Sequence, residues 1–472
     1  MKLYGTIRML LCLVIICSML VMPAEANTNN AAQDASVING CHSADAMQPL
    51  LGSGQLITNS QAVFLYETKS DTLMYAWNPD LSVEPASLAK IMTAFVAVEQ
   101  GNLSDAVTVK QSTLSTIPND AVSSDLVENE VLTLKDLLYC MMIDSGNDAA
   151  AVIADHVGGS EAAFVELMNN KAEELNCSGT TFTNPHGLYD DNQRTTARDM
   201  GKILAAALKN ENFAEIFGTV YYTVPATNKS RERKLTTGNF LMCTDNMEIY
   251  FDERVTGGRT GVARDGTNCL ASSAKNEQME LISILIGSAS SYKEDGYTVH
   301  SFGGYTETTM LLDAGFSGYY STQVLYKDQV LTQRNVINGS GTVSLGCETS
   351  VSTVLPEGVS FSQLSIRFVD GTAEFNAPIK KGDILCSAEI WYGGLCVAYT
   401  PLYALNSVQT SEKIIIQREY DPFGFWDVLL IIVIILVVLI GVFYFLRYRI
   451  RIRNKIRKWQ RKRRWKNRRG GR

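Results

Sequence analysis

At 472 residues, 46 % of them apolar, the chain has room for a sizeable core and, at about 150 residues per domain, for two or three units, which excludes one compact body. The formal net charge of −7 hides a split: 15 of the 42 Lys and Arg residues follow Leu446, where no acid occurs, while residues 27–446 carry about 25 bases against about 48 acids, roughly −23 by subtraction. A basic end set directly behind an apolar run reads as membrane topology and attraction to anionic headgroups, not as a nucleic-acid site.

Along the chain, Lys2 and Arg8, the apolar run 9–22 and the small-x-small pattern of Pro23-Ala24-Glu25-Ala26 predict a signal peptide over 1–26. A polar leader follows over 27–53. Residues 62–65 and 72–76 read as two strands joined by the turn Lys69-Ser70-Asp71. Pro85 then precedes Ser87, Ile91, Met92, Ala94, Phe95 and Val98, a helical spacing with the proline suited to a first turn. A second helix is expected from Thr133, capped with Asp136 and carrying the stripe Leu134, Leu137, Leu138, Met141 and Met142. It stops at Asp144-Ser145-Gly146, and Asn147 or Asp148 can cap the next helix, over 149–157. Further helices are predicted over 160–175 and 196–209.

Strands return over 255–274, with a turn at Arg264-Asp265-Gly266, and over 281–287, before a closing helix over 305–314. Strands at both ends and helices between predict an α+β domain over 54–314 whose first and last strands share one antiparallel sheet. Short alternating runs broken by Gly and Asn over 315–410 predict a small all-β domain. A linker over 411–427 leads to 428–446, an uninterrupted apolar run of bilayer-spanning length with Trp426 at its outer edge. Basic flanks stay inside, so the tail 447–472 is expected in the cytoplasm and the acidic body outside.

Of ten cysteines, Cys12 and Cys17 belong to the signal peptide, and the other eight are scattered without the close pairs of a metal site. Cys140, on an apolar helical face, reads as a buried thiol, and the pairing of the rest stays open. No metal or cofactor is called for.

Three short boxes carry the chemistry. In Ser87-Leu88-Ala89-Lys90 the serine and lysine share one face of a helix. A serine hydroxyl needs a base in contact, and a lysine serves if burial or a positive neighbour such as Arg259 lowers its pKa. The helix start adds a positive dipole end and backbone N–H groups suited to an oxyanion. A second match, Ser272-Ser273-Ala274-Lys275, falls in a predicted strand, where the two side chains would not meet. In Ser145-Gly146-Asn147, alone a turn and cap, Ser145 can relay a proton and Asn147 can hold a substrate amide. After Gly257-Gly258, Arg259-Thr260-Gly261 lies where a substrate backbone can follow a strand edge, with the guanidinium placed to bind a terminal carboxylate in a bidentate way and Thr260 adding a donor.

With these boxes, Pro85-Ala86-Ser87-Leu88-Ala89-Lys90-Ile91-Met92-Thr93-Ala94, Ser145-Gly146-Asn147-Asp148-Ala149-Ala150, Asn184-Pro185-His186-Gly187-Leu188 and the stretch Pro378 to Asp383, the chain resembles the low-molecular-weight penicillin-binding proteins, the serine-type D-alanyl-D-alanine carboxypeptidases. The resemblance implies the penicillin-binding, serine β-lactamase-like transpeptidase fold with a C-terminal β domain. It implies that Ser87 attacks the D-Ala-D-Ala bond of a peptidoglycan stem peptide, forms an acyl-enzyme and releases the last D-alanine. Lys90 would act as base, Ser145 as relay, and Asn147, Arg259, Thr260, Gly261 and Val262 would bind substrate, with the oxyanion between the N–H groups of Ser87 and Val262. β-Lactams would acylate the same serine. Two departures stand out: the third box usually has lysine, whereas Arg259 keeps the charge but cannot shuttle a proton, and the anchor is a full span where many relatives use an amphipathic helix.

A β-lactamase would share the boxes, and Glu166 with Asn170 echoes its Glu-x-x-x-Asn, but Glu166, Asn170, Glu173 and Glu174 fall on one polar helical face. A non-catalytic wall-binding protein is the alternative of another class. A Ser-His-Asp protease is poorly supported, because none of His42, His156, His186 and His300 has a serine motif beside it.

Overall fold

The computed structural model describes residues 50–51, 56–57, 59–292, 299–369, 374–411 and 424–467. The expected signal peptide, nearly all of the polar leader, most of the linker and the last residues of the tail lie outside the described residues. The chain divides into two units, one of Met1–Gln333, Ser344–Ala373 and Lys381–Asn406, the other of Arg334–Val343, Glu374–Lys380 and Ser407–Arg472.

The first unit is built on a five-stranded antiparallel sheet. Its strands are β1 (Ala62–Glu67), β2 (Thr72–Trp77), β3 (Val255–Val262), β4 (Asn268–Lys275) and β5 (Glu280–Ser288), in the spatial order β2-β1-β5-β4-β3. The expectation that the first and last strands share one sheet is met where β1 pairs with β5, Phe64 opposite Ile284. β1 is buried along its whole length because each face meets a different core. Ala62, Phe64 and Tyr66 enter the helical core, and Val63 and Leu65 enter a second core with Leu311 and Leu312. β5 alternates in the same way, Ile282, Ile284 and Ile286 on one side and Leu281 and Leu285 on the other, as a strand's period of two requires.

The helical side holds α1 (Ala89–Gln100), α2 (Leu134–Ile143), α3 (Asn147–Gly158), α4 (Glu161–Glu174), α5 (Ala197–Ala207) and α6 (Glu211–Gly218), and α7 (Gly303–Phe316) packs on the other face. α1 is buried from Ala89 to Val98, the pattern of a helix surrounded by others, and it packs against α2, α3, α4 and α5. The cap read at Thr133 is present: Thr133 Oγ1 accepts from Asp136 N at 3.0 Å while the Asp136 carboxylate accepts from Thr133 N at 3.3 Å. α3 begins two residues earlier than expected, with Gly146 at the cap and Asn147 already helical, because the side chains of Asn147 and Asp148 are engaged elsewhere. α6 and the hairpin of Tyr221–Val224 with Arg233–Thr236 were not anticipated, since their apolar stretches are short.

Among the described residues Cys140, Cys177, Cys243, Cys269 and Cys347 are buried free thiols, and Cys386 is buried as well. Burial pushes Cys140, Cys177 and Cys269 up to about 12.

The β region of this unit pairs β6 (Tyr319–Leu325) with β7 (Val351–Pro356), and β8 (Ser365–Val369) with β9 (Ile384–Tyr392) and β10 (Leu395–Ala404). β7 is tied to β2 where Val354 N donates to Thr72 Oγ1 at 3.4 Å. In the second unit, Val336 and Ile337 pair in parallel with Phe375 and Asn376. This unit also contains α8 (Phe425–Asn467), whose stretch Trp426–Arg461 is long and apolar enough to cross a membrane, with a mean hydropathy of 3.5 at its most apolar. The helix continues through the basic residues after Leu446.

Close packing of α5 on the sheet depends on Gly201, where a Cβ would stand 2.5 Å from the Phe64 ring. Gly201→Val is expected to destabilise the folded domain by about 1–3 kcal/mol through overpacking, read as a lowered midpoint of thermal or denaturant unfolding.

Candidate active site

Ser87 is the middle residue of a 3-10 turn, Ala86–Leu88, that feeds directly into α1. The turn is held from two sides by glycines. Gly187 has φ +81°, and a Cβ there would lie 2.0 Å from the Ala86 carbonyl oxygen, so no other residue fits. On the opposite side a Cβ on Gly261 of β3 would lie 3.0 Å from Ser87 N. Ala86 itself takes φ +45°, a conformation that alanine adopts only when its surroundings impose it.

One turn into the helix, Lys90 is fully buried, and its amine donates to three oxygens: Ser87 Oγ at 3.3 Å, Asn147 Oδ1 at 2.8 Å and the His186 carbonyl. Burial is the main force that lowers its pKa well below the usual lysine value, the positive charge of Arg259 lowers it further, and Asp148 acts against both. His186 contributes its carbonyl to Lys90, while its buried ring nitrogen Nδ1 accepts from Leu188 N at 3.2 Å. Burial and the nearby Lys90 push that imidazole down to about 3, so it is neutral at physiological pH.

Ser145 follows α2 in a left-handed conformation, φ +66°, and its hydroxyl accepts from Arg259 Nη2 at 2.5 Å. Arg259 is only 3 % exposed. Its Nη1 donates to the Met142 carbonyl at 2.9 Å and its Nε to the Ser87 carbonyl at 3.4 Å, so each of its three nitrogens already serves a protein oxygen. The free bidentate fork expected from the sequence is therefore not what the fold presents: the side chain is a fixed buried charge that ties β3 to the Ser145 turn and to the Ser87 backbone. Burial lowers its own pKa to about 10, opposed by Asp144, and it remains cationic at neutral pH.

β3 is the edge strand of the sheet, and Val262, at its end, is 65 % exposed. The outer edge is thus available to an extended peptide, with Arg259, Thr260, Gly261 and Val262 in order along it. The structure brings together Ser87, Lys90, Ser145, Asn147, Arg259 and Gly261. It does not bring together the second Ser-x-x-Lys match, in which Ser272 is buried and Lys275 exposed on β4. Glu166 and Asn170 are exposed on α4.

Several positioning residues escaped notice in the sequence. The Asp148 carboxylate accepts from Ser123 Oγ at 2.7 Å, Ser124 N at 2.9 Å, Leu126 N at 3.1 Å and Ala149 N at 2.9 Å, which pins the loop before α2 against the start of α3. Asn147 continues the same seam with its Nδ2 donating to the Val122 carbonyl at 2.8 Å. The loop that offers the His186 carbonyl is held by Gln193, whose Oε1 accepts from Thr183 N and Asn184 N, and by Asn184, whose Oδ1 accepts from Gly187 N at 2.8 Å. Asp148 and Asn184 stand inside stretches quoted for the family resemblance, but Gln193 carries no local signal.

Residues 52–290 match the family described as D-alanyl-D-alanine carboxypeptidase, and residues 319–410 match the C-terminal domain of penicillin-binding protein 5. Among curated proteins, the chain is 28 % identical to the D-alanyl-D-alanine carboxypeptidase DacA of Haemophilus influenzae, an alignment covering 79 % of this chain and 89 % of that one. It is 29 % identical to the D-alanyl-D-alanine carboxypeptidase DacF of Bacillus subtilis over 78 % of this chain and 90 % of that protein. Among solved structures, penicillin-binding protein 5 of Haemophilus influenzae superposes with a TM-score of 0.64 at 27 % identity, covering 76 % of this chain and all of that one. With a family match over half its length and the three boxes converging on one buried amine, the chain belongs to the D-alanyl-D-alanine carboxypeptidase family.

Proposed function

We propose that the protein is a membrane-anchored serine D-alanyl-D-alanine carboxypeptidase acting on peptidoglycan stem pentapeptides, with Ser87 as nucleophile. The observation that carries this reading is the contact of the buried Lys90 amine with Ser87 Oγ beside a second buried cation, Arg259. A lysine held neutral in that way can take the serine proton as the Oγ–carbon bond forms. The tetrahedral oxyanion would lie between the backbone N–H groups of Ser87 and Val262. The Asn147 amide and the outer edge of β3 would hold the substrate backbone, with the terminal carboxylate beside Thr260 and in the positive field of Arg259. Collapse of the intermediate breaks the C–N bond, and the proton passes from Lys90 through Ser145 to the departing D-alanine amine. Water then attacks the acyl-enzyme, with Lys90 again as base, and frees Ser87. β-Lactams would acylate Ser87 by the same first step.

The apolar part of α8 supplies the anchor. The charge asymmetry around it supports a catalytic domain outside the membrane and the basic tail in the cytoplasm.

Ser87→Ala is expected to remove both D-alanine release from a pentapeptide and the covalent penicillin adduct, a loss on the order of 10⁶-fold, with folding unchanged; mass spectrometry of the ectodomain reads both. With wild-type protein the adduct is expected to be long-lived, and rapid penicillin turnover would favour the β-lactamase alternative. Arg259→Gln takes a positive charge away from Lys90 and lets its pKa rise. The acid limb of the acylation rate against pH is therefore expected to move to higher pH, in addition to a lower plateau from the loosened Ser145. Asp148→Ala releases the loop pinned before α2 and is expected to lower kcat/KM by about 10–100-fold while the ectodomain stays folded by circular dichroism.

A further inference from the structure

The hairpin of Tyr221–Val224 with Arg233–Thr236 reaches across to the loop that precedes α2, and a buried acid joins the two. Glu130, at the end of that loop, is wholly buried. Its carboxylate accepts from Arg233 Nη2 at 2.8 Å and from Thr227 Oγ1 at 2.8 Å, both on the hairpin, and from Val127 N of its own loop at 3.2 Å. Among the described residues it is the one ion pair whose carboxylate is completely closed off from water. Burial raises the pKa of Glu130, but the hydrogen bonds from Thr227 and Arg233 outweigh it and hold the group below the ordinary glutamate value, so it is charged at physiological pH.

Two residues of the loop take left-handed conformations without being glycine, Asp125 at φ +55° and Asn129 at φ +61°. Each is gripped at its carbonyl by a hairpin side chain. Arg233 Nη2 donates to the Asp125 carbonyl at 3.2 Å, and Asn228 Nδ2 donates to the Asn129 carbonyl at 2.8 Å while its Oδ1 accepts from Val131 N at 2.9 Å. At the other end of the loop the Val122 carbonyl accepts twice from one residue, from Asn147 N at 2.9 Å and from Asn147 Nδ2 at 2.8 Å. That double contact decides which way the amide faces. With Nδ2 on Val122, the Oδ1 atom is left pointing at the Lys90 amine, 2.8 Å away. An amide turned the other way would set N–H donors against the base and take one of its acceptors away.

We propose that Glu130 and Arg233 are positioning residues for the acylation of Ser87: their buried pair clamps the hairpin onto the loop, the clamped loop holds Val122 in place, and Val122 keeps the Asn147 amide turned with its oxygen toward Lys90. The proposal rests on the reading of Ser87 and Lys90 given above. The pair acts on the base only through this chain of contacts.

The test is the second-order rate constant for the covalent penicillin adduct on the intact protein, with D-alanine release from a pentapeptide as the second readout. Glu130→Gln keeps the shape of the side chain without its charge and is expected to lower both rates about 3–10-fold, and Arg233→Ala about 10–100-fold. In an Asn147→Ala background no amide remains to be oriented, and there Arg233→Ala is expected to lower the adduct rate by less than about twofold further, because residues that act through one contact are not additive. A residue that merely supports the fold would lower the rate by the same factor in both backgrounds. Arg233→Ala leaves a buried carboxylate unpaired; should it fail to fold by circular dichroism, Asn228→Ala takes its place in both backgrounds, since Asn228 is exposed, with about a 3–10-fold loss expected while Asn147 is present. Wild-type rates in the folded hairpin variant, or a loss equally large with and without the Asn147 amide, overturns the clamp and leaves Ser87 standing as nucleophile. A wild-type protein that forms no adduct and releases no D-alanine overturns that reading and the clamp with it.

Discussion

A lysine amine closed off from water beside a second cation is the constraint from which the rest of this site follows. Among the described residues Lys90 has no carboxylate partner; the three acceptors around its amine are a hydroxyl, an amide oxygen and a backbone carbonyl. Burial costs a protonated amine its hydration and Arg259 adds repulsion, so the fold shifts the balance toward the neutral base, whose two N–H bonds can serve Asn147 Oδ1 and the His186 carbonyl while its lone pair faces Ser87 Oγ. Everything nearby is arranged to keep the three acceptors where they are. Asp148 and Asn147 lock the loop before α2 onto α3, Gln193 and Asn184 lock the loop that carries His186, and Gly187 and Gly261 grip the turn of Ser87.

Arg259 shows how one charge serves several ends. Its buried guanidinium joins the edge strand to the helical side through Met142 and Ser145, touches the nucleophile's carbonyl, and raises the positive potential that Lys90 feels. A lysine in this position could not bridge three oxygens with a planar fork. The arginine that stands where the family usually has lysine thus contributes structure and field to the site.

Much of this was legible in the sequence, for reasons that differ from element to element. β1 and β5 announced themselves as apolar runs because both faces are buried, and α2 was marked by Thr133, Asp136 and a clean stripe. The boxes could be placed on a helix start, an interhelical turn and a strand because turn residues and periodicity are local signals. What was not legible is long-range. That Arg259 spends its nitrogens inside the protein depends on Met142 and Ser87 arriving from distant parts of the chain, and no spacing encodes it. Gln193 and the carboxylate of Asp148 act through backbone N–H groups of other loops, and a short element such as α6 has too few residues for its period to show.

The buried thiols carry a consequence for the order of events in the life of the chain. In the finished fold Cys140, Cys177 and Cys269 are shielded and hard to deprotonate, so they resist oxidants. In the still open chain nothing distinguishes them from reactive cysteines, and with the outward orientation proposed above folding would take place where disulfides form readily. Collapse of the interior has to win a race against chemical cross-linking, and a variant that folds slowly would be trapped by wrong sulfur bridges even if its final state were sound.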